Sequence, residues 1–289
     1  MKKQRIVIFS AALLIAGGGF FHPVYSDGLL LMLPPILAKK QSAPPKRTLN
    51  DTGITWSGNY ASGNNATCVS SSTPDGDNVV AAQDCSQGGD TTHNDDSDGL
   101  AGFSYTKLDS SGQPLADQAA DYATTPWTCV KDNVTGLIWE VKTDDGGLHD
   151  KDDTYTLYNT DPATNGGVNG VENPSGNTCS GWSGGNTATY CNTQAYVNRV
   201  NAAGLCGAKD WRMPTVKELE NLVHYGRSNP TIDTGYFPNT VSIISIPFWS
   251  GSPLADYPDD AWYVDFRDGF VGGNGRRFSY PVRLVRSGQ

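Results

Sequence analysis

Three groups of side chains have the types and spacing to do chemistry. Asn94-Asp95-Asp96-Ser97-Asp98-Gly99 places oxygen ligands at alternate positions, with a glycine where a tight Ca²⁺ loop turns. Asn94, Asp96 and Asp98 are therefore candidate Ca²⁺ ligands. An EF-hand is excluded, because Tyr105 stands at loop position 12, where a bidentate glutamate is required. Asp150 and Asp152 form a second candidate Ca²⁺ pair, beside Gly146-Gly147. Asp132 to Asp153 carries seven acids and two lysines, a local charge of −5. The competing reading of both segments is a solvated loop whose aspartates cap their own backbone.

The third group is basic. From Trp262 to Gln289, Arg267, Arg276, Arg277, Arg283 and Arg286 face only Asp265 and Asp268, a local charge of +3. A guanidinium is a planar fork suited to sulfate and carboxylate. Trp262, Tyr263, Phe278 and Tyr280 offer stacking faces. Arg267, Arg276, Arg277, Trp262, Tyr263 and Tyr280 are the candidate ligand set, for an anionic or other glycan. The competing reading pairs Arg283 and Arg286 with core-edge acids such as Glu140 or Glu218, and has Arg212 brace a helix start. Gly181-Trp182-Ser183-Gly184-Gly185 satisfies Gly-x-Ser-x-Gly, but it lies in a Ser/Asn/Gly loop. A nucleophile elbow needs a strand before it and a helix after it. His149 and His224 have no spacing that links them to Ser183.

Six cysteines follow a basic, then apolar, N-terminus. Met1–Arg5 is basic, Ile6–Phe21 is apolar, and Val24-Tyr25-Ser26 supplies small residues for cleavage. Residues 1–26 thus read as a secretory signal peptide, and no membrane span is expected once it is removed. Export implies an oxidising compartment, so the cysteines read as disulfides. Cys68 and Cys85 stand apart from the rest and are expected to pair. Cys191 and Cys206 flank a helical pattern over Thr193–Ala203. That helix would hold them about 20 Å apart, beyond disulfide reach. Cys179–Cys191 and Cys129–Cys206 are the preferred pairs.

The elements that would position these groups follow from periodicity. Residues 27–50 read as a Pro-rich, basic linker. Residues 51–125 read as a small, loop-rich β module stapled by one disulfide, with strand signals at Ile54–Trp56, Asn78–Val80 and Phe103–Leu108. From 126 to 289 the character changes. Thr128–Val130 and Leu137–Val141 bracket a turn-rich segment and suggest a hairpin. The helix from Thr193 ends at Gly204. Thr215-Val216-Lys217-Glu218 is a capping box. Trp262, Val264 and Phe266 alternate, Asp268-Gly269 turns, and Phe270-Val271 returns. The order of strand pair, long loop, two helices and antiparallel strands is α+β.

The chain has 289 residues, 21 Lys+Arg, 30 Asp+Glu and a formal charge of −9. Without a basic block it is a poor nucleic-acid binder. Its Gly, Asn, Ser and Thr content argues against a helical bundle, and its 37% hydrophobic residues argue against wholesale disorder.

Five segments occur in order: Thr135-Gly136-Leu137-Ile138-Trp139-Glu140; Gly204-Leu205-Cys206-Gly207; Asp210-Trp211-Arg212-Met213-Pro214-Thr215-Val216-Lys217-Glu218-Leu219; Phe248-Trp249-Ser250; and Val282-Arg283-Leu284-Val285-Arg286. Together they resemble the Lcl C-terminal domain family, named after a bacterial collagen-like surface adhesin. The resemblance covers roughly Trp127 to Arg286. It implies a C-type-lectin-like fold, glycan binding with sulfated glycosaminoglycans as the founding adhesin's ligands, and a trimer. The chain lacks a Gly-x-y collagen region, so stalk-driven trimerisation is not carried over. The Glu-Pro-Asn and Trp-Asn-Asp triplets of Ca²⁺-dependent lectins are absent, Phe237-Pro238-Asn239 being the nearest fragment. The Trp211–Glu218 segment also resembles formylglycine-generating enzymes, whose reactive cysteines lie late in the domain; here none follows Cys206. The expected function is an exported, non-enzymatic, lectin-like binding protein at the cell surface or in the periplasm. The alternatives are a surface-assembly or pilus-associated subunit and, less well supported, an envelope enzyme.

Overall fold

The computed structural model describes residues 49–55, 97–174, 176–241 and 246–288, and the backbone of four short strands before Asp98. The chain divides into two units, Met1–Lys46 and Arg47–Gln289. In the first, β1 (Pro23–Ser26) pairs antiparallel with β2 (Leu29–Met32). β2 falls where a linker was expected; its run of leucines has the apolar character of a strand. Apart from Leu49 and Asn50, the remainder of the expected signal peptide and linker lies outside the described residues, as does the expected Cys68–Cys85 pair.

In the second unit, β3 (Ser57–Asn59) and β4 (Gly63–Asn65) form a small hairpin. The next strand, β5 (Tyr105–Leu108), was expected to belong to the N-terminal module. Instead it pairs with β6 (Cys129–Asp132), which pairs with β7 (Leu137–Glu140). With β11 (Val285–Ser287) they make one four-stranded antiparallel sheet, ordered β11-β7-β6-β5. A boundary at 126 would cut this sheet between neighbours. Phe103 and Tyr105 are apolar and buried, and the core they enter is that of the C-terminal part. Ile54 and Thr55, expected to be strand, are not paired; the segment docks by single bonds, such as Tyr225 N–H donating to Thr52 O at 2.7 Å.

A second, three-stranded sheet holds β8 (Phe248–Leu254), β9 (Tyr257–Asp265) and β10 (Phe270–Gly275), with β9 in the middle. Two helices lie between the sheets in sequence. α1 (Thr193–Ala203) begins where the Asn192 side chain accepts from Ala195 N–H, and ends at Gly204 with φ 83°. That left-handed conformation suits glycine. α2 (Val216–Glu220) is one short stretch, started by the expected capping box: Thr215 and Glu218 satisfy each other's backbone N–H. The content is mixed, mostly sheet with two helices, as an α+β fold requires.

Strand alternation divides the core in two. Val130, Trp139, Phe248, Val264 and Phe266 join Leu219 and Phe237 in one cluster. Cys129, Trp249, Tyr196, Trp211 and Leu284 build the other. Both preferred cysteine pairs are present. Cys129–Cys206 has its Cα atoms 6.5 Å apart and ties β6 to the segment after α1; Cys179–Cys191, at 5.5 Å, closes the loop before α1. No described helix is long and apolar enough to cross a membrane.

Candidate functional site

Two of the five ordered sequence segments, those holding Glu140 and Arg283-Leu284, meet at one buried carboxylate. Glu140, at the end of β7, is fully buried. Its Oε1 accepts from Lys142 Nζ at 3.1 Å and from the Tyr196 hydroxyl, and lies 2.9 Å from His149 Nδ1. Its Oε2 accepts from Leu284 N–H at 2.9 Å. Arg283, also fully buried, donates to the Glu140 carbonyl at 2.6 Å and to Thr240 Oγ1 at 2.9 Å. Burial alone would raise the Glu140 pKa. The Lys142 charge and the His149 and Tyr196 contacts outweigh it and hold the carboxyl well below the usual carboxylate range. Burial lowers Lys142, and burial with the nearby Glu140 charge pushes Tyr196 up. Lys142 and Tyr196 were not singled out in the sequence. The one signal is the alternate spacing of Glu140 and Lys142, which sets both on one side of an extended chain.

Arg212 also proves structural. Its two terminal nitrogens bond the two Glu218 oxygens at 2.8 and 2.7 Å. Burial opposes ionisation of Glu218, but Arg212 and the Thr215 N–H outweigh it and hold its pKa at about 2. Arg286 donates to Asp210 at 2.6 Å, so its acid is neither Glu140 nor Glu218. His224 lies beyond the end of α2, where its ring stacks on Phe103 with centroids 5.3 Å apart.

The C-terminal arginines therefore do not form one cluster. Arg276 is 2% exposed and donates to the Asp260, Asn165 and Val168 carbonyls. Arg267 is exposed in the β9–β10 turn and pairs with Asp268 at 3.0 Å. Arg277 remains on the surface, its guanidinium 4.7 Å from the Phe278 ring centre. Trp262 adjoins Tyr263 in β9, so alternation turns it to the opposite face.

What the structure does bring together is an aromatic shelf on one face of the three-stranded sheet. Trp249 is its buried base, 4.7 Å from Tyr280. Tyr263 lies 6.1 Å from Tyr280 and 6.3 Å from Phe270. Phe278 stacks 6.4 Å from Tyr280 with planes 12° apart. Phe270 and Phe278 are 59% and 40% exposed, which makes them the open ends of the shelf. Burial raises the Tyr263 and Tyr280 pKa values, so both hydroxyls stay protonated at neutral pH. Asn274 Nδ2 donates to the Tyr280 hydroxyl at 2.6 Å. Phe270 was read only as the return strand. Its exposure depends on the edge position of β10, which a sequence pattern does not contain.

Gly272 makes the shelf possible. A Cβ there would stand 2.6 Å from Phe270 Cε1 and 2.7 Å from Tyr263 Oη. Gly272→Ala is expected to push these rings apart at a stability cost of about 1 kcal/mol or less, since the clash is with ring tips that can move. Near-ultraviolet circular dichroism, compared with the urea midpoint, checks this.

The acidic loops are occupied by internal bonds. Asp150 accepts from the N–H groups of Asp145 (2.8 Å), Gly146 (2.6 Å) and Asp152 (2.9 Å). Burial would raise its pKa, but these N–H groups outweigh it and lower it. Asp152 is exposed and pairs with Lys151 at 2.8 Å. Asp98 accepts from the Ser104 hydroxyl at 2.5 Å. Asn94 and Asp96 lie outside the described residues. Among the described residues, no three acidic, His or Cys side chains converge on a metal-sized site. Ser183 lies in the loop closed by Cys179–Cys191, its N–H donating to Thr189 Oγ1 at 3.0 Å. A 3-10 turn at Thr187–Thr189 follows, so the strand–turn–helix of a nucleophile elbow is absent there.

No curated protein and no solved structure matches the sequence. Residues 128–286, more than half of the chain, match the Lcl C-terminal domain. They run from the start of β6 through the buried Glu140 centre to β11, and on that match the chain belongs to the Lcl C-terminal domain family.

Proposed function

We propose that this is an exported, non-enzymatic binding protein of the cell surface or periplasm, with a C-type-lectin-like domain that engages glycans. The aromatic shelf carries the proposal. Sugars present apolar C–H faces that pack on aromatic rings, and hydroxyls that bond to Tyr and Asn. Phe270, Tyr263, Tyr280 and Phe278 offer such rings in one continuous row, with Asn274 and Arg277 at its side. Arg277 would add preference for a sulfated or carboxylated sugar. The two disulfides fit an oxidising compartment.

The test is a glycan array with the full-length chain, followed by a heparin column. Phe270→Ala with Phe278→Ala is expected to weaken binding about tenfold or more, equivalent to about 1.4 kcal/mol. Because both rings are exposed, the unfolding free energy from urea denaturation should change little, by about 0.5 kcal/mol. Arg277→Gln should reduce retention at low salt and matter less at high salt. Wild-type protein that retains no glycan at low salt overturns the glycan reading.

A further inference from the structure

We propose that a cavity beside α1, separate from the aromatic shelf, is a second binding site, for a small amphipathic anion. The cavity is about 500 Å³ and lies among the 157–165 loop, α1, the Arg212–Thr215 segment and β8. That volume is in the range of small-molecule sites, about 300–1,000 Å³. Leu157, Val197, Met213 and Pro214 give it apolar walls. Its shape depends on Gly251, where a Cβ would meet Met213 Cβ at 2.9 Å.

The polar groups set the sign of the ligand. Arg276 lines the cavity and is 2% exposed. A guanidinium carries five N–H donors. Three of those of Arg276 reach the carbonyls of Asp260, Asn165 and Val168. Burial lowers its pKa, Asp259 and Asp260 oppose that through space without cancelling it, and among the described residues no carboxylate bonds to it. Gln194 also lines the cavity. Its Oε1 accepts from both the N–H and the hydroxyl of Thr160 at 3.0 Å, which leaves its Nε2 as a donor. Of the other charges at the wall, Arg212 is neutralised by Glu218, while Asp161 keeps its negative charge but is exposed, its oxygens accepting from Ala163 N–H and the Thr164 hydroxyl, both at 3.0 Å. Apolar walls with a carbonyl-paired cation and a spare amide donor complement a ligand with an apolar body and one anionic head.

The probe is 1-anilinonaphthalene-8-sulfonate, titrated into the full-length chain and read by fluorescence. Saturable one-to-one binding is expected. Val197→Trp, which fills the cavity, should weaken it at least tenfold, while the shelf variant F270A/F278A leaves it unchanged. Octanoate should displace the probe at a concentration at least tenfold below that needed for octylammonium. In the wild-type protein the Met213 methyl resonance should shift on adding octanoate, a readout independent of how well V197W folds. An unmoved Met213 methyl, binding lost in F270A/F278A and kept in V197W, or equal displacement by octylammonium would each overturn the site.

Discussion

Glu140→Gln will lower the unfolding free energy by about 3–5 kcal/mol, measured by urea denaturation at neutral pH. The mutation keeps the shape and removes the charge. Lys142 and Arg283 then remain as two buried cations, with side chains fully or almost fully out of solvent. An uncompensated buried charge costs far more than its pair contributes. A double cycle with Lys142→Met separates the two effects. Removing both charges should cost less than the sum of the single changes, because neither partner is left alone.

The same carboxylate makes stability depend on acid. Its pKa is lower in the folded chain than the ordinary glutamate value of 4.5. The unfolded chain therefore binds a proton first as pH falls. The stabilising contribution is complete above about 4.5 and declines progressively below it, towards the depressed folded value. Glu218, held at about 2, acts in the same direction and over the same onset. A plot of stability against pH should thus fall steeply below about pH 4.5. In Glu140→Gln that slope should be shallower. An unchanged slope would mean that Glu140 is not the group that titrates.

The second large effect is on the long disulfide. Cys129→Ser with Cys206→Ser opens a closure of 77 residues, and Cys179→Ser with Cys191→Ser opens one of 12. Loop-entropy reasoning assigns about 4.5 kcal/mol to the first and about 2.8 kcal/mol to the second. The order is the sharper expectation. Cys129–Cys206 spans β6, β7 and α1, so its loss loosens the whole second core cluster. Cys179–Cys191 closes a surface loop whose 3-10 turn carries its own cap at Asn186. Urea midpoints of the two double mutants, compared with wild type, check the ranking. Equal losses would show that the unfolded chain is already restricted by other contacts.

Local physics was readable without coordinates. The bounds of α1, its glycine stop and the α2 capping box depend on side chains within four residues of the backbone groups they satisfy. A length argument removed Cys191–Cys206, since a helix of known rise separates them, and of the two pairings left the preferred one is present. The β9–β10 hairpin followed from alternation and its Asp268-Gly269 turn. Arg212 bracing a helix start was a local expectation of the same kind, and Glu218 is the group through which it does so.

The placement of β5 was not readable, because strand pairing depends on which distant core accepts Phe103 and Tyr105. The fate of the arginines was equally hidden. Arg276 and Arg277 are adjacent and chemically identical, yet one is buried among carbonyls and the other lies on a phenylalanine ring. Composition counts both as positive charge at one site. Burial separates them, and burial is a property of what folds over a residue from elsewhere in the chain. The same holds in part for Glu140: Arg283 was a candidate partner and Lys142 is two residues away, but Tyr196 arrives from α1, a separate stretch. It holds too for the shelf, whose open ends depend on β10 being an outer strand. Sequence carried the family, the α+β class and the staples, because those rest on short-range geometry and ordered motifs. Folding chose which charges face a ligand, because desolvation acts through space rather than along the chain.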